Sequence, residues 1–192
     1  EKDEPRPAGE RAGYALGMVA AGSVNAVLES LVAKTPARAE HADPIVAQVY
    51  ETPVGPMLGA AVDEGLCLLA FVDRRALRTE LAELVELLDR PALSAGGHAP
   101  GVRFLAQMEA ELRAYFAGSL RECGTRLFTP GTPFEQAVWQ ELLRIPYGKT
   151  CSYGDMAIKL GKPGAARAVG RANGRNRIAI AIPCHRVIES NG

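Results

Sequence analysis

Two capping signals constrain the last third of this chain more tightly than anything else in it. Thr132-Pro133-Phe134-Glu135 combines an N-cap threonine, a proline at the first helical position and a glutamate placed to close a capping box. Ser152, with Asp155 three residues on, repeats the pattern. The first helix is predicted through Phe134, Val138, Trp139, Leu142 and Ile145 to Pro146, and Tyr147-Gly148-Lys149 turns the chain. The second runs from Ser152 to Gly161. Pro163 opens a third, Gly164 to Asn173, with Gly174 at its C′ position. Two short helices joined by a glycine-containing turn give this region a helix-turn-helix outline.

The third helix is unusual in composition. It reads Gly164-Ala165-Ala166-Arg167-Ala168-Val169-Gly170-Arg171-Ala172-Asn173, without a large apolar residue every three or four positions. Small side chains let a backbone approach another surface closely, and arginines serve phosphates or a groove. Packing against a neighbouring helix accounts for the alanines but not for the arginines. From Met156 to Ile188 there are seven basic residues and no acidic one, which leaves 15 basic against 22 acidic elsewhere in a chain of zero net charge. Such a block is either a localised polyanion-binding face or a solvated basic helix.

Downstream, the apolar run Ile178 to Ile182 leads into Pro183-Cys184-His185-Arg186-Val187. A cysteine is a nucleophile only as its thiolate, and imidazole or cationic neighbours favour that form. His185 and Arg186 are residue types suited to that task. Taken alone, the pair also fits a buried cysteine beside a surface histidine.

The remaining cysteines, Cys67, Cys123 and Cys151, form no C-x-x-C pair and no disulfide-scaffold density. Cys67 lies in a strand-like run and reads as a small buried hydrophobe. With only His41, His98 and His185 available, no zinc spacing can be assembled, so no metal and no cofactor are expected. The longest apolar runs, Leu66 to Val72 and Ile178 to Pro183, are too short to span a bilayer. A cytoplasmic setting, without a membrane partner, is the expectation.

Upstream, residues 1–10 read as a disordered lead-in. Tyr14 to Arg38 has helical spacing and stops at Thr35-Pro36, and Ala39 to Pro44 reads as a linker. Ile45 to Tyr50, Met57 to Val62 and Leu66 to Val72 are predicted strands, the last two joined by a turn at Asp63-Glu64-Gly65. Arg75 to Leu88 carries a leucine stripe, Ser94 to Gly101 is a loop, and Val102 to Phe116 is an amphipathic helix closed by Gly118. The expected division is 1–44, 45–128 for a small α/β unit, and 129–192 for the helical unit.

These motifs in order resemble the O6-alkylguanine-DNA alkyltransferases, or methylated-DNA–protein-cysteine methyltransferases. The resemblance covers roughly residues 45–192. It is carried by Phe134-x4-Trp139, by Ile145-Pro146-x-Gly148-x-Thr150-x-Ser152-Tyr153, by Ala165-Ala166-Arg167-Ala168-Val169-Gly170, by Asn176, and by Ile182-Pro183-Cys184-His185-Arg186-Val187. It implies a ribonuclease H-like α/β subdomain with a small sheet and flanking helices, followed by a mainly helical, winged helix-turn-helix-like DNA-binding subdomain.

The resemblance also implies roles. Cys184 would accept the alkyl group from guanine O6, and possibly from thymine O4, with His185 acting through water as its base. Arg167 would fill the space left by the extruded nucleotide, on a helix whose Ala165, Ala166, Gly170 and Arg171 face the minor groove. Ser152 and Tyr153 would lie at the DNA, Tyr153 helping to rotate the base. Asn176 would brace the turn after the helix, with Pro183 supporting the site and Val187 lending its backbone to the flipped base. The thioether product would be stable, so each molecule would act once. The partner would be duplex DNA carrying O6-alkylguanine, met by a monomer at the bacterial nucleoid.

Two departures from the family pattern shape the expectations. The family continues past the equivalent of Gly192 into a glycine loop and a helix carrying a relay glutamate. A chain cut at both ends would then have a less activated thiolate. Tyr14 to Arg38 weakly resembles the end of an AraC-type helix-turn-helix, as in Ada-type adaptive-response regulators, and a generic amphipathic helix is the other reading. A transcription regulator, or a binder of alkylguanine that does not repair it, are the alternative functions. The presence of Cys184 argues against the second.

Overall fold

The computed structural model describes residues 43–90, 94–95 and 99–189. The lead-in, the stretch from Tyr14 to Arg38 and most of the linker fall outside the described residues, so their readings stay as sequence expectations.

The first unit is a sheet between two helices. Strand β1 (Val46–Tyr50) pairs antiparallel with β2 (Met57–Val62), which pairs antiparallel with β3 (Gly65–Phe71). Helix α1 (Leu77–Leu88) follows, and then a two-residue strand, β4 (Ser94–Ala95), lies parallel to β1, giving the order β3-β2-β1-β4. The stretch expected as a loop from Ser94 therefore begins with a strand. Two residues completing an edge leave no periodicity to read. Helix α2 (Val102–Phe116) covers the other face.

Both sheet faces are buried, which explains why β2 and β3 read as continuous apolar runs rather than alternating ones. Ile45, Leu58, Val62 and Leu68 pack with Leu77, Leu81 and Leu84 of α1. On the opposite face Val46, Met57, Leu66 and Leu69 join Leu105, Met108 and Leu112 of α2 in a core that continues into the second unit. Cys67 is buried as expected, its thiol 3.3 Å from the Ala60 carbonyl oxygen that accepts from it.

That second unit is helical. Helix α3 (Pro133–Leu143) and helix α4 (Tyr153–Lys159) each begin with a complete capping box, at Thr132/Glu135 and Ser152/Asp155. Helix α5 (Ala166–Gly174) starts two residues later than the sequence suggests. Gly164 takes φ +91°, a left-handed conformation that ends the preceding turn before the helix can begin. Gly174 is the last helical residue rather than C′, and Arg175 caps the helix at φ −88°. A short parallel pair, β5 (Cys151–Ser152) with β6 (Val187–Ile188), lies beside these helices.

The outer edge of β3 docks two later segments of the chain. Leu66 N donates to Arg126 O at 2.9 Å and Phe128 N to Leu66 O at 2.8 Å. Further along, Leu69 N donates to Arg177 O at 2.8 Å and Ala179 N to Leu69 O at 2.7 Å. Gly65 makes the first of these approaches possible, since a Cβ there would lie 2.7 Å from Arg126 O. The segment leading to Cys184 is thus docked on the sheet by backbone bonds.

Candidate active site

Cys184, His185 and Arg186 form a single 3₁₀ turn entered through Pro183. The apolar run before it is no regular strand. Ala181 N donates to Ala179 O at 2.7 Å around Ile180, which has φ +67°. A β-branched residue in that region costs about 1–3 kcal/mol and persists only where its surroundings impose it. Here they do. Asn176, 4% exposed, donates from Nδ2 to Ile182 O at 3.0 Å and Ile178 O at 3.3 Å, while its Oδ1 accepts from Ile178 N at 2.9 Å. One buried amide ties both ends of the strained loop.

Three further contacts bring the motifs together. Asn173, near the end of α5, donates from Nδ2 to Cys184 O at 3.4 Å. The indole of Trp139 donates to Ala172 O at 2.9 Å, fixing α5 against α3. Cys151 pairs with Val187 and Ser152 with Ile188, so the start of α4, with Ser152 and half-buried Tyr153, is held beside the Cys184 turn. Tyr153 also lies against Gly170 of α5, where an added Cβ would be 3.8 Å from its ring.

The outward side of α5 differs. Arg167 and Arg171 are exposed, Ala165, Ala166 and Gly170 are half-buried, and only Val169 and Ala172 reach the core. Small residues and arginines occupy its accessible surface, and buried packing accounts for two of its nine positions.

Arg186 departs from expectation. The sequence offers it as a cation beside the thiol, but it is 8% exposed and donates from Nη1 to Ile145 O at 2.7 Å. Its guanidinium also stacks over the Tyr147 ring, 5.5 Å from the centroid. It pins the turn to the chain just beyond the C-terminal end of α3.

The other thiols are unsuited to attack. Burial pushes Cys67 up to about 12 and Cys123 up to about 11. Cys151 is buried, whereas Cys184 is partly accessible. His185 is exposed, yet partial desolvation of its ring, and then the charge of Arg186, hold its imidazole below the usual value. It is therefore neutral near pH 7 and able to take a proton. Among the described residues no group of His, Cys, Asp and Glu is arranged to hold a metal. No helix among them is long and apolar enough to cross a membrane.

Residues 45–128 match the ribonuclease-like domain of 6-O-methylguanine DNA methyltransferase, and residues 133–192 match its DNA-binding domain. The methylated-DNA–protein-cysteine methyltransferase of Methanosarcina acetivorans is 40% identical over 144 residues, which are 75% of this chain and 83% of that protein. The chain belongs to the 6-O-methylguanine DNA methyltransferase family. A Mycobacterium leprae methyltransferase of the same name is 43% identical over 142 residues, covering 74% of this chain and 77% of its own. Among solved structures, the Mycobacterium tuberculosis O6-methylguanine methyltransferase superposes with a TM-score of 0.62 at 39% identity, covering 77% of this chain and 81% of that one. Mycobacterium tuberculosis OGT in complex with DNA gives 0.62 at 38%, with 77% and 80% covered. A small sheet unit followed by a helical DNA-binding unit is the fold of this methyltransferase family, as the sequence motifs imply.

Sequence reading places Trp139 in a motif but misses its bond to Ala172 O, along with the role of Asn173 and the burial of Arg186. Trp139 carries a signal, because an indole N–H in a core needs an acceptor. The others depend on contacts that no local pattern encodes.

Proposed function

We propose that this protein repairs DNA by moving an alkyl group from guanine O6 to Cys184, once per molecule. The observation that carries this reading is convergence: the Cys184 turn, the start of α4 and the end of α5 are bound to one another by β5–β6 pairing and by Asn173. The Cys184 thiolate attacks the alkyl carbon, the C–S bond forms as the C–O6 bond breaks, and the electron pair leaves on the guanine. His185, through a water molecule, takes the thiol proton. The product is a thioether with no second nucleophile to release it.

A stacked guanine cannot reach a half-buried thiol, so the base must be extruded, at a cost of a few kcal/mol. Arg167 fills the vacated space from the small-residue surface of α5, where Ala165, Ala166 and Gly170 permit close approach and Arg171 meets the backbone. Tyr153 and Ser152 act at the target nucleotide. Asn176 and Pro183 hold the acceptor turn, and the Val187 backbone receives the base. On this reading the units are residues 45–128 and 129–192. The partner is duplex DNA bearing O6-alkylguanine or O4-alkylthymine, and the protein works as a cytoplasmic monomer at the nucleoid.

The test is intact mass and peptide mapping after mixing with O6-methylguanine duplex. A gain of about 14 Da, one CH₂, is expected on the Cys184 peptide and is absent in Cys184→Ser. Unchanged mass with retained DNA binding would sink the repair reading. Arg167→Ala is expected to slow reaction with the duplex far more than reaction with free O6-alkylguanine, and equal losses would refute its wedge role.

A further inference from the structure

The face of α5 extends beyond the residues used so far. Arg167, Arg171 and Arg175 are four residues apart, so each is rotated about 40° and advanced about 6 Å from the one before. All three are exposed; Arg167 lies opposite buried Val169 and Ala172, and the turn of the helix brings Arg175 round to their flank. They form one ridge leading away from the wedge position.

Among the described residues, Arg175 differs from the other two in having a protein partner. Its Nη1 lies 2.8 Å from Glu135 Oε1, although its own side chain is 71% exposed while that of Glu135 is 12% exposed. The second carboxylate oxygen of Glu135 accepts from Thr132 N at 2.9 Å and Thr132 Oγ1 at 2.8 Å. Glu135 is thus held by Thr132 as well, and Arg175 is the exposed member of the pair. A shallow pocket of about 190 Å³ opens between the ridge and the start of α3, lined by Thr132, Phe134, Glu135, Ala168, Arg171 and Arg175.

An ion pair with an exposed member contributes little, so an incoming anion replaces it at small cost. A guanidinium fork binds a phosphate through two parallel hydrogen bonds, better than it binds a single carboxylate oxygen. We propose that Arg175 joins Arg171 in gripping backbone phosphates of the bound duplex, and that Glu135 is a gate holding Arg175 until a phosphate replaces it. This rests on the duplex-DNA reading above.

The two sides of one ion pair then have opposite effects, which a purely structural pair would not show. Binding of unmodified duplex is measured across a potassium chloride series for the whole protein. Arg171→Ala and Arg175→Ala are each expected to weaken binding and to flatten the log–log salt slope by about 0.9, one phosphate contact. Arg175→Lys restores most of the slope, which separates lost charge from lost folding. Glu135→Gln keeps a capping-box residue. It is expected to tighten binding by about two- to fivefold with the slope unchanged. In an Arg175→Ala background that gain disappears. An unaltered slope in Arg175→Ala, or a Glu135→Gln gain of equal size in both backgrounds, overturns the proposal. Wild-type protein that neither binds duplex nor takes up the alkyl group overturns the DNA reading itself. Wild-type binding with unresponsive variants overturns the gate alone.

Discussion

The sheet unit and the acceptor region are held by different forces. In the first, large side chains such as Leu58, Leu68, Leu69 and Met108 are fully buried against helices on both faces, and shape and area do most of the stabilising. In the second, a three-residue turn at Cys184 is fixed by directed bonds from Asn173, Asn176 and Arg186. Burial of apolar area is tolerant of small shifts, whereas a hydrogen bond to one carbonyl is not. A reacting thiol needs the second kind of support, because its line of attack is set to fractions of an ångström.

That contrast can be broken from either end. Leu69→Ala removes a fully buried side chain from the strand that docks both Arg177 and Ala179. It is expected to destabilise the fold by about 2–5 kcal/mol. A denaturant melt reads the loss, and the alkyl-transfer rate well below the transition should change little by comparison. Asn176→Ala inverts the pattern. It leaves Ile178 N without its acceptor and takes one of two donors from Ile178 O and Ile182 O, which keep Ile182 N and Cys184 N, around strained Ile180, at a cost of about 1–3 kcal/mol. The transfer rate under native conditions should fall by much more than its stability loss explains. If both variants lose rate in proportion to stability, the acceptor region has no separate support.

A smaller effect comes from Trp139→Phe, which keeps the aromatic bulk and removes the bond to Ala172 O. That carbonyl also accepts from Arg175 N at 3.2 Å, so it is not left bare. The expected cost is about 0.5–1.5 kcal/mol. Because the bond orients α5 rather than the thiol, duplex binding should weaken while reaction with a free alkylated base holds. Equal losses in the two assays would place Trp139 in the core alone.

The same contrast explains which features were legible beforehand. The capping boxes at Thr132 and Ser152, the strands on either side of Asp63-Glu64 and the amphipathic α2 follow from local chemistry, and all are in the structure. The order of motifs from Phe134 to Val187 was enough to point to the family. The start of α5 was misjudged because Gly164, in its left-handed conformation, outweighed the proline before it. The burial of Arg186 has no local signal, because its acceptor, Ile145 O, lies 41 residues upstream. The loop around Ile180 has no signature at all. Its conformation is imposed by Asn176 and by the sheet edge, and side-chain bonds of that kind leave no period in a sequence.

His185 gives the finest test of how separate the two regions are. Desolvation and then the charge of Arg186 lower its imidazole pKa from the ordinary 6.5. The fold therefore favours the neutral ring, and the unfolded chain takes up a proton at a higher pH than the folded one. Stability is unaffected above about pH 6.5 and declines as pH falls below it, levelling once the folded ring is also protonated. Because the side chain is exposed, the decline should be slight. The alkyl-transfer rate has no such protection, since a protonated imidazole cannot take the thiol proton. A rate profile is expected to be level above pH 6.5 and to drop below it with a midpoint under the ordinary imidazole value, while the melting midpoint barely moves. Replacement by His185→Gln should remove that inflection and lower the plateau. An inflection that survives the substitution would assign the titration to another group, and Cys184 itself would be the next to examine.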